Sequence, residues 1–140
     1  MSIEDKIREI ASGEQFAKYP YIFDNLFRID ERIESTALPA IVCTLPAGGE
    51  MRLRNGKVYD AEDVLIGFFD SVPHDANGED NAECYNRMKS LGIQFIKAMN
   101  ESGLFVNVET WSYQVWCVRL ANIVTGVFFQ LRVQDLGRCD

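Results

Sequence analysis

The chain has 140 residues, of which 47% are apolar and 25% charged, with a net charge of −7. One domain of this length buries about two-thirds of its unfolded surface, enough for a core without staples. The acidic balance argues against a nucleic-acid binder, which needs a positive face against phosphate, and no stretch approaches the ~20 apolar residues of a spanning helix.

The opening MSIEDKIREI has no basic end followed by an apolar run, so no secretory signal is read there and a cytoplasmic location is expected. Ile3, Ile7 and Ile10 predict a short amphipathic helix that Gly13 ends. Phe16 to Phe23 is aromatic and broken by Pro20, which disfavours helix at Tyr19. Ile22, Leu26, Ile29 and Ile33 then recur at helical spacing, predicting a second helix or an extended turn that ends near Ser35.

Pro39 to Leu45 is a β-rich run between two prolines and predicts a strand; Pro46-Ala-Gly-Gly is a turn. Met51 to Arg54 alternates apolar and basic residues and leads into Asn55-Gly56, a strong hairpin signal, with Lys57 to Tyr59 as the returning arm. Asp63 to Phe69 is apolar on both faces, as in a central strand covered on each side.

Val72 to Asp80 is a polar loop. Asp80 with Glu83 makes a capping-box start for a helix running to Ser102, striped by Cys84, Met88, Leu91, Phe95 and Ala98, widened by Gly92, Ile96 and Met99, and closed by Gly103. Leu104 to Glu109 is a weaker strand candidate than Tyr113 to Arg119. In the last strand Val127, Phe129, Leu131 and Val133 point one way and Gln130, Arg132 and Gln134 the other; Thr125-Gly126 suits a bulge or a close approach, and Gly137 begins a polar tail. Residues 1–140 thus read as a single α+β domain. Its sheet is mostly antiparallel, of about four to five strands, with one long helix on one face and N-terminal helices.

No catalytic constellation emerges. His74 is the one histidine and has no nucleophile motif nearby, so it reads as a solvated loop residue. With Cys84 it lacks zinc spacing. Asp75, Asn77, Glu79 and Asp80 alternate like calcium ligands, but Gly78 falls at loop position 4 and Asn86 at position 12, where a calcium loop wants glycine at 6 and glutamate at 12. Gly48-Gly49 has no following lysine or helix start, so it cradles no phosphate. Cys43, Cys84, Cys117 and Cys139 are widely spaced and expected as free thiols, the first three as packing residues.

Two features remain as interface candidates. Arg52, Arg54 and Lys57 make a basic hairpin with Met51 and Leu53 between them; it is either a solvated arm that blunts its own edge or a contact to an acidic surface of another subunit or DNA. Trp116 reads as core, and Trp111, beside Ser112, as a candidate interface anchor.

The order of elements resembles the tail terminator or tail-completion proteins of long-tailed bacteriophages and small conserved proteins of Bacteroidetes prophage regions. It is carried by Ala37 to Val42, the hairpin over Pro46 to Tyr59, Val64 to Asp70, the helix with Met88 and Phe95 to Asn100, and the closing strand Thr125 to Arg132, over about Tyr19 to Gln134. The resemblance implies a homo-oligomeric ring on the tail tube, contacting other tail or neck proteins. It implies no cofactor, no metal, no catalysis and no membrane partner. The family's hairpin corresponds to Glu50 through Tyr59. The alternative class is a small-molecule-binding or catalytic domain with a pocket beside Tyr19, Tyr21, Trp111 and Tyr113 and Asp70 or Glu109 as its polar group. A third is an adaptor for a host protein.

Overall fold

The computed structural model describes residues 2–119, 123–136 and 138–139, with the backbone alone at 119, 138 and 139. In chain order the elements are α1 (Ile3–Ala11), β1 (Tyr21–Asp24), a 3-10 turn (Leu26–Arg28), α2 (Ile29–Glu34), β2 (Ala40–Thr44), β3 (Gly48–Arg54), β4 (Lys57–Val72), α3 (Gly78–Glu101), β5 (Ser112–Arg119), β6 (Ile123–Gln134) and β7 (Arg138–Cys139). This is an α+β fold, one sheet with its long helix packed across one face.

Both long-range helices start in capping boxes. At α1 the Ser2 hydroxyl accepts from the Asp5 N–H and the Asp5 carboxylate accepts from the Ser2 N–H. At α3 the cap is Asn77, three residues before the residue the sequence suggests, and Asp80 is its N3 partner. The helix therefore takes in Gly78 and Glu79, which had read as loop. Its predicted stripe holds except at Ala98, which is half-buried: Cys84, Met88, Leu91, Gly92, Phe95, Ile96 and Met99 are buried. Gly92 allows close approach to the sheet, since a Cβ there would stand 2.7 Å from the Phe129 ring. Gly103 turns the chain away at φ 74.

The sheet runs β1-β2-β4-β6-β5, with β3 and β7 also on β4. The β1–β2 pair is parallel and every other pairing antiparallel. The segments Lys57 to Tyr59 and Asp63 to Phe69 are not separate strands. They are the two halves of β4, 16 residues long. The ladder runs through the acidic residues between them: Asp60 to Glu62 pair with Met51 to Gly49, Ala61 and Glu62 also with Gln134 and Val133, the Asp60 carbonyl accepts from the Asp135 N–H, and Asp63 next along accepts two hydrogen bonds from Arg132. The first half of β4 pairs with β3 and the second with β2, while β6 lines its other edge from Ala61 to Val72.

Strand alternation splits the core in two. On one face Ile41, Cys43, Ile66, Phe68, Val127, Phe129 and Leu131 pack under α1 and α3. On the other, Ala40, Val42, Phe69, Val124 and Phe128 meet Ile22, Ile29 and Ile33. So Ile66 to Phe69 is covered on both sides as its composition predicts. β6 is more deeply set than its one-sided pattern suggests: both faces are buried from Ile123 to Phe129 and alternation begins only at Gln130. Gly126 permits the close approach expected of it, because a Cβ there would run into the Phe68 carbonyl.

Three expectations need correction. The helical spacing from Ile22 to Ile33 divides: Ile22 lies in β1, Leu26 is exposed, and only Ile29 and Ile33 share a helix face. A short apolar run serves a strand as well as a helix, and pairing with β2 decides it. Leu104 to Glu109 forms no strand, only a bridge from Phe105 to Asp135. Cys117 is exposed rather than packed, whereas Cys43 and Cys84 are buried. Gly137 lies outside the described residues, as does the Cys139 side chain; Arg138 and Cys139 pair with Val58 and Lys57.

Candidate assembly surfaces

The β3–β4 hairpin turns at Asn55 and Gly56 with φ 54 and φ 77, the two positive angles that Asn-Gly favours. All seven β3 residues are exposed. Glu50, Arg52 and Arg54 fall on one face; Met51 and Leu53 fall on the other, the face that α3 covers farther along the sheet. No helix reaches the hairpin, so Met51 is 68% exposed and Leu53 77%. The arm thus has one basic and one apolar face, both open to water, with Lys57 opposite Arg54 at its tip.

Its base is pinned by charge. Arg132 donates two hydrogen bonds to Asp63 and one to Glu50. The Arg132 guanidinium holds the Asp63 carboxyl below the usual range. Leu26 and Phe27, with Leu45 beside Asp24, leave further apolar surface exposed just before β3 begins.

Trp111 lies apart from the hairpin. It precedes β5, across β6 and β4 from β3, and its ring packs 5.6 Å from Phe129. It is half-buried and lines a hollow of about 310 Å³ with Lys89, Ile93, Glu109 and Tyr113. Lys89 donates to the Tyr113 hydroxyl at 3.2 Å and sits 4.5 Å from its ring centre. Trp116 is half-buried and packs edge-on to Phe128 and Phe69.

The aromatic residues of the small-molecule reading do not converge. Tyr19 lines a separate hollow of about 550 Å³, bounded by Pro39 and by α3 at Arg87 and Leu91. Tyr21 clamps α1 to β1: its hydroxyl donates to Glu4 at 3.1 Å and Arg8 lies 5.1 Å from its ring centre. Burial, then the neighbouring Cys43 and Glu4, pushes that hydroxyl far above its ordinary pKa. Asp70 pairs with Arg87 at 3.1 Å. Glu109 alone of the two proposed carboxylates is beside Trp111 and Tyr113.

His74 is exposed in the loop before α3. Among the described residues no three His, Cys, Asp or Glu side chains gather as a metal site, and Asn77 and Asp80 of the calcium-like stretch are committed to the helix cap. Among the described residues no helix is long and apolar enough to cross a membrane. A comparison with protein-family models finds none that matches the chain, and no curated protein matches it either.

Proposed function

We propose that this chain is a structural assembly subunit, of the kind that forms a homo-oligomeric ring on the tail of a long-tailed phage, without catalysis or cofactor. One observation carries the reading: an arm with an apolar face and a basic face stands clear of the packed body on a chain of net charge −7. Leaving Met51 and Leu53 in water forgoes their burial, worth about 1.5–3 kcal/mol for each side chain. Charge on the other face favours an acidic neighbour, and copies of this chain supply one.

Sedimentation velocity over a range of protein and salt concentrations tests it. Association that strengthens with concentration and weakens with salt is expected. Replacing Arg52, Arg54 and Lys57 together with Glu should weaken association and leave the monomer's melting curve nearly unchanged. A triple variant that associates like wild type at low salt leaves the arm a solvated turn.

A second reading, a small-molecule-binding α+β domain, is favoured by the hollow at Trp111 and Tyr113, which is at the lower end of ligand-pocket size. A strictly monomeric protein whose melting temperature rises with a bound small molecule would support it over assembly.

A further inference from the structure

Beyond the four-residue β1 and the two-residue β7, two strands have an outer edge that no strand pairs among the described residues: β3 and β5. They lie on opposite sides of the sheet, separated by β4 and β6. Ladder register places their side chains. Met51 and Leu53 oppose Asp60 and Val58, and Tyr113 and Val115 oppose Phe129 and Val127. Those partners share the face of Ile66, Phe68 and Leu131, so all four stand on the α3 face. Yet α3 leaves all four exposed, reaching only Tyr113, through Lys89: Met51 is 68% exposed, Leu53 77%, Tyr113 45% and Val115 52%. On the opposite face β3 is polar, with Glu50, Arg52 and Arg54, and β5 is polar at Ser112 and Gln114, beside Tyr113, before it turns apolar at Trp116 and Val118.

The two edges therefore match in pattern, apolar beside apolar and polar beside polar, when two sheets are laid edge to edge with their helices on the same side. β5 also lacks the devices that keep strand edges apart. From Ser112 to Val118 it holds no proline, lysine or other charged residue. Beside it, on the α3 face, the hollow of about 310 Å³ has Trp111, Ile93 and Phe129 for an apolar side chain, with Lys89 and Glu109 also in its lining.

We infer that β3 of one copy adds to β5 of the next, extending the sheet from subunit to subunit with Met51 and Leu53 against Tyr113, Val115 and the Trp111 hollow. This rests on the self-assembly reading and names the two surfaces that meet. β3 to β4, β4 to β6 and β6 to β5 are three antiparallel steps, so β3 and β5 run in opposite directions. Copies that follow one another with the same strand sense pair antiparallel. The contact is head-to-tail, and such contacts close into rings or continue as filaments. β3 flanks the Lys57–Asp63 part of β4, whereas β5, through β6, flanks Leu65 to Val72. Pairing edges so staggered inclines the strands to the axis of the assembly, as shear does in a barrel.

Site-directed cross-linking tests the contact. In a background of Cys117→Ser and Cys139→Ser, Leu53→Cys is mixed with Tyr113→Cys or with Val115→Cys, oxidised with copper phenanthroline, and resolved on denaturing gels. At least one mixture should give covalent dimers several-fold above any variant alone. In wild type, hydrogen exchange should slow at β3 and β5 amides as concentration rises, a readout that needs no variant. Equal cross-linking of one variant with itself would mean like edges pair, and overturns the inference. So does sedimentation showing association without β5 protection or mixed cross-links; the assembly reading then stands and the arm docks elsewhere. A chain that stays monomeric at every concentration overturns both.

Discussion

Phe95 is the residue whose removal tests the architecture most directly. Its side chain is fully buried, with ring centres 5.1 Å from Phe16 and 5.7 Å from Phe68, and Phe68 continues to Phe129 at 5.5 Å. It thus joins α3, the segment after α1 and the two central strands. Phe95→Ala removes the ring from that junction and leaves a cavity between rigid elements. Core Phe→Ala changes cost about 3–5 kcal/mol, and each lost aromatic pair adds about 0.5–1.5 kcal/mol to simple burial. The upper half of the range is expected here, about 4–5 kcal/mol, because α3 is pinned by its cap and by Gly92 and cannot collapse into the space. Against a typical stability of about 5–15 kcal/mol that is a large share. Urea unfolding followed by circular dichroism measures it, with Phe95→Leu as a milder companion. A loss under about 1 kcal/mol for the alanine variant would refute the packing of α3 on the sheet.

Asn77→Ala should cost about 1 kcal/mol in the same assay and Asn77→Ser almost nothing, because the cap needs a side-chain acceptor for the Asp80 N–H. In a Cys139→Ser background, Cys117 should react quickly with a thiol reagent at pH 8, while Cys43 and Cys84 react only on denaturation; burial pushes the Cys43 thiol up to about 12. Glu62 has its carboxyl raised, first by burial and then by Asp60 and Asp135. A carboxyl raised in the folded state binds its proton more tightly there than in the unfolded chain, so its contribution to stability falls as pH rises from the unfolded value through the folded one. Glu62→Gln should therefore raise the melting temperature at pH 7 and leave it nearly unchanged near pH 4. Asp24 runs the opposite way. Hydrogen bonding from the Asn25 N–H, with Arg32 and Arg28 nearby, lowers its carboxyl, so its contribution is present above its unfolded value and fades as the solution is acidified through the folded one.

Legibility in the sequence followed the strength of the local signal. The α3 stripe is a run of consistent helical spacing and survived intact; the Asn55-Gly56 turn survived because only certain residues tolerate two positive φ angles. The cap was displaced because an acidic residue suits both the cap and the third helical position, and the choice of Asn77 appears only when the N–H partners are seen. The 22–33 segment failed because four apolar residues at helical spacing do not exclude a strand followed by a turn and a short helix. The two halves of β4 read as separate because Asp60 and Glu62 look like loop residues until the pairing with β3 and β6 runs the ladder through them. Of the candidate surfaces, the hairpin was legible from its alternation. The Tyr113–Val115 edge was not, since nothing local says that β5 would be outermost, or that α3 would leave it exposed.

The charge on β3 admits two readings that turn out to be one. Arg52 and Arg54 lie on an open edge, where charged side chains discourage strands from pairing. Against another β3 the discouragement is complete: two such edges would bring four arginines together, and like charges set opposite each other destabilise a ladder. Against β5 it is absent, because that edge is uncharged from Ser112 to Val118. The same two residues therefore oppose the symmetric contact and leave the head-to-tail one open, which is how repulsion built against the wrong partner produces specificity for the right one. Edge protection and assembly are then not rival explanations of the basic hairpin. A β3 stripped of its arginines should lose selectivity before it loses the ability to associate: Arg52→Gln with Arg54→Gln should let Leu53→Cys cross-link to itself, where the wild-type arm keeps it from doing so.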